Sequence, residues 1–187
     1  VADLRGGKYL AYEGGQKVPF MIRWDNADGA IGEKGTERKQ SATLVDLFPT
    51  LIDLCGITVD GKESALPSDR VIDGVSMMPV LKNDEVIHAA EHPILHMKRE
   101  DIKAIQYTVS TAEVKEKYPD YDYAVLNDNE FITFKYFDKI QNDNSAFWDK
   151  NRKNWLHILT DDVGENYNRS VVYPEIADEF HEKLDEI

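Results

Sequence analysis

One cysteine, Cys55, stands in a chain of 187 residues, which excludes a disulfide within it. Its place in Leu54-Cys55-Gly56, on the apolar side of an expected helix, predicts a small buried core residue. Cations are also in short supply, with 22 Lys and Arg against 35 Asp and Glu and a formal net charge of -13. That deficit argues against nucleic acid or an anionic membrane as a partner, because such surfaces are bound by clustered Lys and Arg. Long hydrophobic runs are missing too: none approaches the roughly 20 apolar residues that span a bilayer, and no signal peptide is visible. His88, His92, His157 and His181 lack metal-ligand spacing with one another and read as surface or structural side chains. What remains is 42% hydrophobic and 30% charged, enough to bury a core. The acidic excess gathers in Asp120 to Asp128 and Asp178 to Glu186, which read as solvated faces.

Two regions follow from the patterning, 1–88 and 89–187, with a connector over Asn83 to Glu91. In the first, Val18 to Trp24 is a nearly continuous apolar run and predicts a strand covered on both faces. Apolar residues from Leu44 to Cys55 recur at helical spacing, with Ser41 as expected N-cap, Gly56 as stop and Pro49 kinking the helix or splitting off a first turn. A short helix is expected after Ser76, ending near Lys82-Asn83-Asp84. In the second region His92 to Met97, Ile102 to Val109, Phe131 to Phe137 and Trp155 to Leu159 read as strands, with a helical turn over Glu113 to Tyr118. Tyr173 to Ile187 reads as an amphipathic helix opened by Pro174. Strands in succession and then one helix predict an antiparallel sheet with a helix on one face.

The stretch with most chemical content is Arg5-Gly6-Gly7-Lys8, followed four residues later by Glu13-Gly14-Gly15 and then Val18-Pro19-Phe20-Met21-Ile22-Arg23-Trp24. Glycines on both sides let the backbone turn tightly and come close to a ligand, and an ammonium held there suits an anionic ester. Three further blocks follow: Asp46-Leu47-Phe48-Pro49-Thr50-Leu51, Arg70-Val71-Ile72-Asp73-Gly74-Val75-Ser76, and Pro93-Ile94-Leu95-His96. In this order the four blocks resemble the late catalytic-domain segments of sulfatases in the alkaline phosphatase superfamily. Leu156-His157-Ile158-Leu159-Thr160-Asp161-Asp162-Val163-Gly164-Glu165-Asn166 is similar to that family's strand-to-turn segment, with Val163 at the usual proline, and is expected to be structural.

The resemblance implies an α/β fold, namely the C-terminal remnant of a sulfatase α/β catalytic domain plus a small subdomain with an antiparallel sheet and a C-terminal helix. It also implies a parent that hydrolyses sulfate monoesters with a formylglycine nucleophile and a divalent metal. The nucleophile motif C/S-x-P/A-S/G-R and the metal ligands belong upstream of the Lys8 block, and the chain opens on Val1. The expectation is therefore a C-terminal part that is inactive alone, whose partners are the missing N-terminal part of the same protein and a sulfated small molecule or glycan. A calcium ion or other divalent metal is expected in the full-length parent and none in this chain. A periplasmic, secreted or lysosomal compartment is expected from the family alone. Ser64-Ala65-Leu66-Pro67-Ser68-Asp69-Arg70 lacks the nucleophile spacing, and Asp25-Asn26 reads as a turn. The resemblance makes Lys8 the catalytic, sulfate-contacting candidate, with Arg5, His96 and Arg99 as further substrate-binding candidates. Glu13 is expected to order the loop by accepting backbone N–H bonds or by pairing with Arg5 or Lys17. Two alternatives stay open: a phosphonate or phosphodiester hydrolase of the same superfamily, and a non-catalytic glycan-binding or interaction module.

Overall fold

The computed structural model describes residues 4–25, 30–58, 66–98, 101–126, 129–138 and 154–187. They fall into two compact units, Phe20–His92, and Pro93–Ile187 together with the N-terminal segment up to Pro19.

The later unit is built on four antiparallel strands in sequential order: β1 (Ile94–Lys98), β2 (Asp101–Ser110), β3 (Phe131–Phe137) and β4 (Trp155–Ile158). Side chains alternate across a strand and directly paired residues share a face, so the register defines two surfaces. Tyr107 pairs with Phe134, Ile105 with Tyr136, Phe134 with Ile158 and Tyr136 with Leu156, which makes one face apolar. The C-terminal helix, Pro174–Asp185, packs there with Ile176, Ala177 and Phe180 buried. Phe180 stacks on Tyr107 at 4.1 Å between ring centroids. On the other face Gln106 pairs with Lys135 and Lys135 with His157, and all three are buried. That polar face is covered by the N-terminal segment: Ala11 and Tyr12 cluster with Ala104, Phe137 and Trp155. The expected antiparallel sheet and helix are present, and a helical turn, Thr111–Lys117, follows β2.

Phe20–His92 is helical and irregular. A 3₁₀ turn, Leu44–Asp46, leads into a helix over Leu47–Cys55, which Gly56 ends in the left-handed conformation at φ 58°. Pro49 sits in that helix's first turn, where its missing N–H costs no helical bond. A second helix covers Met78–Asn83.

Three expectations are corrected. Val18–Trp24 forms no strand, and Met21 is 91% exposed. An apolar run becomes a buried strand only with neighbours to pair its backbone and cover its faces, and the described sheet supplies none. Ser41 is not the cap; the turn opens at Thr43, whose N–H donates to Asp46 Oδ2 at 2.6 Å. Cys55 is exposed, because it lies on the same helical stripe as Leu44, Phe48 and Leu51, which are themselves exposed. The buried side is instead the one carrying Pro49 and Thr50.

That side is organised by Asp46. Its carboxylate also accepts the Val75 N–H at 2.9 Å and meets His88 Nε2 at 2.8 Å. The approach is close: a Cβ on Gly74 would lie 2.1 Å from the Val45 carbonyl oxygen. His88 Nδ1 lies 2.8 Å from the His92 carbonyl oxygen, so both ring nitrogens face acceptors and both carry hydrogens. Burial works to lower the His88 pKa, but the Asp46 and His92 hydrogen bonds and the Asp46 charge raise it above its usual value. Burial works to raise Asp46, but bonds from His88, Thr43 and Val75 hold it below the usual carboxylate value.

The raised His88 pKa gives a contribution that is complete below 6.5 and is lost as pH rises through the folded value. The lowered Asp46 pKa gives one that is complete above 3.8 and is lost as pH falls through the folded value. Hydrogen exchange at the Thr43 and Val75 amides, corrected for intrinsic rate, is therefore expected to be most protected between about pH 4 and 6.5, where both terms act. His88→Gln should abolish the loss of protection on the alkaline side.

Candidate functional site: the loop carrying Lys8

The glycines predicted to shape this loop do so by close packing. Gly14 N–H donates to the Arg5 carbonyl at 2.8 Å, and Leu10 N–H to the Gly7 carbonyl at 3.0 Å. A Cβ on Gly14 would sit 2.5 Å from the Arg5 oxygen and 2.7 Å from the Gly6 oxygen, so only glycine fits the crossing. Lys8 and Tyr9 form the exposed tip, and the Lys8 ammonium lies 5.2 Å from the Tyr9 ring centroid. Tyr9 holds φ at 79°, a conformation costly for a bulky side chain.

The base of the loop is buried. Arg5 lies between aromatic rings, its guanidinium 4.7 Å from the Tyr12 centroid and 4.3 Å from that of Trp155. Its Nη1 donates to the Glu165 carbonyl at 3.0 Å. Glu13 does order the loop: its main-chain carbonyl accepts the Lys17 N–H at 2.8 Å, while its Oε1 accepts not from an Arg5 or Lys17 side chain but from Lys135 Nζ at 2.9 Å, across 122 positions in sequence. Glu165 Oε1 lies 3.1 Å from the same ammonium, and Glu165 Oε2 accepts the Glu13 N–H at 2.6 Å. One buried cation thus serves two carboxylates. Burial pushes the Glu165 pKa up to about 7, while Lys135 and the Glu13 N–H pull the other way.

His96 lies inside β1 and is buried, with Nε2 2.9 Å from Gln106 Oε1. Burial first, then the Lys135 charge, lowers its pKa to about 3, which leaves a neutral imidazole near neutral pH. His157 is fully buried and held at about 3 by the same burial and by Arg5 and Lys135. Arg5 and Lys8 thus share one loop, Arg5 at its base and Lys8 at its tip, whereas His96 is on the polar face of the sheet. Arg99 lies outside the described residues, as do Asn26 and Ser64. The Asp25 carboxylate accepts from Arg23 Nε at 2.9 Å. In the 162–165 turn the Asp162 carboxylate accepts the Tyr167 N–H at 2.7 Å and Asn166 Nδ2 at 2.9 Å. The left-handed residue there is Glu165, with φ at 53°.

Sequence reasoning singled out neither Lys135 nor the Glu165 side chain. The signal was available in β3, where one ammonium interrupts Phe-Ile-Thr-Phe-Lys-Tyr-Phe and, if buried, demands carboxylates nearby.

No family model matches the chain. Among curated relatives it is 34% identical to mouse steryl-sulfatase over 117 residues, which is 61% of this chain and 16% of that protein. It is 36% identical to human arylsulfatase D over 91 residues, 46% of this chain and 13% of that protein. It is 29% identical to dog N-acetylgalactosamine-6-sulfatase over 99 residues, 53% of this chain and 16% of that protein. A solved chain described under the metabolism of multiple glycosaminoglycans by Bacteroides thetaiotaomicron, and labelled 6S-sulf, has a TM-score of 0.53 at 22% identity. It covers 99% of this chain and 32% of that one, and shows the same fold. These matches, each over part of a longer protein, support a resemblance of the chain to a C-terminal part of a sulfatase. Its matched segment spans about one sixth of the mouse relative.

Sulfatases form a metal-dependent family, but among the described residues no group of three or more His, Cys, Asp or Glu side chains could hold a metal ion. Among the described residues, the buried carboxylates Asp46, Glu13 and Glu165 are already committed to His88 and Lys135, and that of Asp162 to Asn166 and the Tyr167 N–H. The described residues do not make a cation site.

Removing the shared ammonium should be severe. Lys135→Met is expected to cost about 3–5 kcal/mol at pH 8 by leaving Glu13 and Glu165 buried without a counter-charge. A carboxylate whose folded pKa is raised loses stability as pH climbs above its unfolded value, so the deficit should shrink toward pH 5. Urea denaturation of both proteins at the two pH values measures this, and equal deficits would contradict the assignment.

Proposed function

We propose that the parent protein is a sulfuric ester hydrolase and that Lys8 contributes a cation to its sulfate-binding cleft. The observation that carries this reading is the contrast within one loop. Half-buried Arg5 and buried Glu13 are held in structural bonds, while Lys8 is presented at a strained, exposed tip in the sequence context that resembles the sulfatase lysine. An ammonium is a compact charge with three donors, suited to an oxygen of a tetrahedral sulfate ester. Its attraction strengthens as negative charge grows on the transferring and leaving oxygens, which is what speeds the reaction rather than merely binding substrate. Attack on sulfur belongs to a formylglycine nucleophile outside this sequence, as do the metal ligands. On this reading a carbohydrate or aryl sulfate is the substrate, in keeping with the relatives' names, and this chain alone is inactive.

Exposed apolar surface favours this reading over a self-sufficient binding module. Val18, Phe20 and Met21 in one stretch, and Leu44, Phe48 and Leu51 on one helical stripe, are all about half exposed or more. Apolar surface grouped this way implies a partner surface, here the remainder of the catalytic domain.

In the parent protein, Lys8→Ala is expected to lower kcat/KM for an aryl sulfate by about 100- to 1,000-fold, the usual loss for one oxyanion-stabilising group, with no change in melting temperature. The isolated 187-residue chain should show no turnover. Activity that follows the purified chain and disappears in Lys8→Ala would refute the claim that the nucleophile lies elsewhere.

A further inference from the structure

We infer that Glu165 is a positioning residue for Lys8, clamping both ends of the loop that carries it. This rests on Lys8 being the sulfate contact. Arg5, three residues before Lys8, donates its guanidinium Nη1 to the Glu165 carbonyl at 3.0 Å. Glu13, five residues after Lys8, donates its main-chain N–H to Glu165 Oε2 at 2.6 Å. One residue of the 162–165 turn therefore grips the loop at both ends, one grip through its backbone and one through its side chain.

The geometry of the turn makes this possible. A left-handed backbone at Glu165 is uncommon for a non-glycine residue and implies that the surroundings enforce it. The enforcing bonds are visible: Glu165 N–H donates to the Asp162 carbonyl at 3.0 Å, and the Asp162 carboxylate fixes Tyr167 and Asn166. The side chain of Glu165 is fully buried and its charge faces Lys135, so the carboxylate has no solvent-exposed rotamer available without breaking an ion pair. Between the two grips the loop closes on itself through Gly14 to Arg5 and Leu10 to Gly7, leaving Lys8 and Tyr9 projecting. A fixed base is what a catalytic cation needs, because an ångström of misplacement erodes its hold on the reacting oxygens.

The test uses the 187-residue chain, with amide hydrogen exchange read by NMR and inorganic sulfate as the probe. Glu165→Ala should speed exchange at Gly14 and Leu10 at least tenfold while amides of β2 and β3 change less than twofold. Glu165→Gln should restore protection, since its amide oxygen still accepts the Glu13 N–H. The sulfate-induced shift at the Lys8 ε-methylene should fall at least by half in Glu165→Ala and recover in Glu165→Gln. Unchanged loop exchange in Glu165→Ala, or equal acceleration everywhere, would overturn the clamp. Should Glu165→Ala not fold, Arg5→Met takes its place, and faster exchange confined to Gly14 and Leu10 supports the clamp while uniform exchange refutes it. Sulfate that shifts nothing at Lys8 in the unaltered chain would sink the sulfate-contact reading, and with it the positioning role, even where the exchange data uphold the clamp itself.

Discussion

Lys135 and the two carboxylates that share it are the constraint on which the later unit depends. An ammonium with no exposed surface is tolerable only when its desolvation is offset by charges and hydrogen bonds at close range, and Glu13 and Glu165 supply both. They come from opposite ends of the chain. The pairing therefore converts an electrostatic requirement into a topological one: the N-terminal segment has to lie on the sheet. Once it is there, Tyr12 can pack on Phe137, and Arg5 can enter the space between Tyr12 and Trp155. The sheet is consequently held by two unlike surfaces, an aromatic one under the C-terminal helix and a polar one under a loop.

The Phe20–His92 unit uses the same device at smaller scale. Asp46 gathers Thr43, Val75 and His88 onto one carboxylate, and Thr50 adds a hydroxyl that donates to the Asp46 carbonyl at 2.6 Å and accepts the Met77 N–H at 2.8 Å. Among its described residues few large apolar side chains are buried, so directional bonds carry much of the order that a core would otherwise provide. Such bonds have narrow geometric tolerance. That explains the glycine at 74, where a side chain would meet the turn it has to approach.

Legibility in the sequence followed the range of the forces. Strand and helix positions in the later unit could be read because alternation, aromatic content and Pro174 act locally. The Gly56 stop was equally local. Val18–Trp24 and Cys55 misled because apolar pattern reports a tendency to be covered, and coverage depends on surfaces that other segments must supply. The loop glycines and Lys8 were legible as a motif, whereas the grip on them was not. Lys135 and Glu165 are 30 positions apart and Glu13 is more than 120 from either, and nothing in the spacing of single charged residues announces a meeting at that distance.

That separation also sets an order of events in synthesis. Residues emerge from the ribosome N-terminus first. The loop bearing Lys8 therefore exists as chain long before β3 and the 162–165 turn that fix its ends, since its bond to Glu165 spans 152 positions. Contacts this remote require the closure of a long loop before they return any stabilisation, which places them among the slow steps of folding. The cationic tip is thus made well before the turn that sets it in position, so a ribosome stalled before residue 165 holds a loop whose ends are not yet fixed.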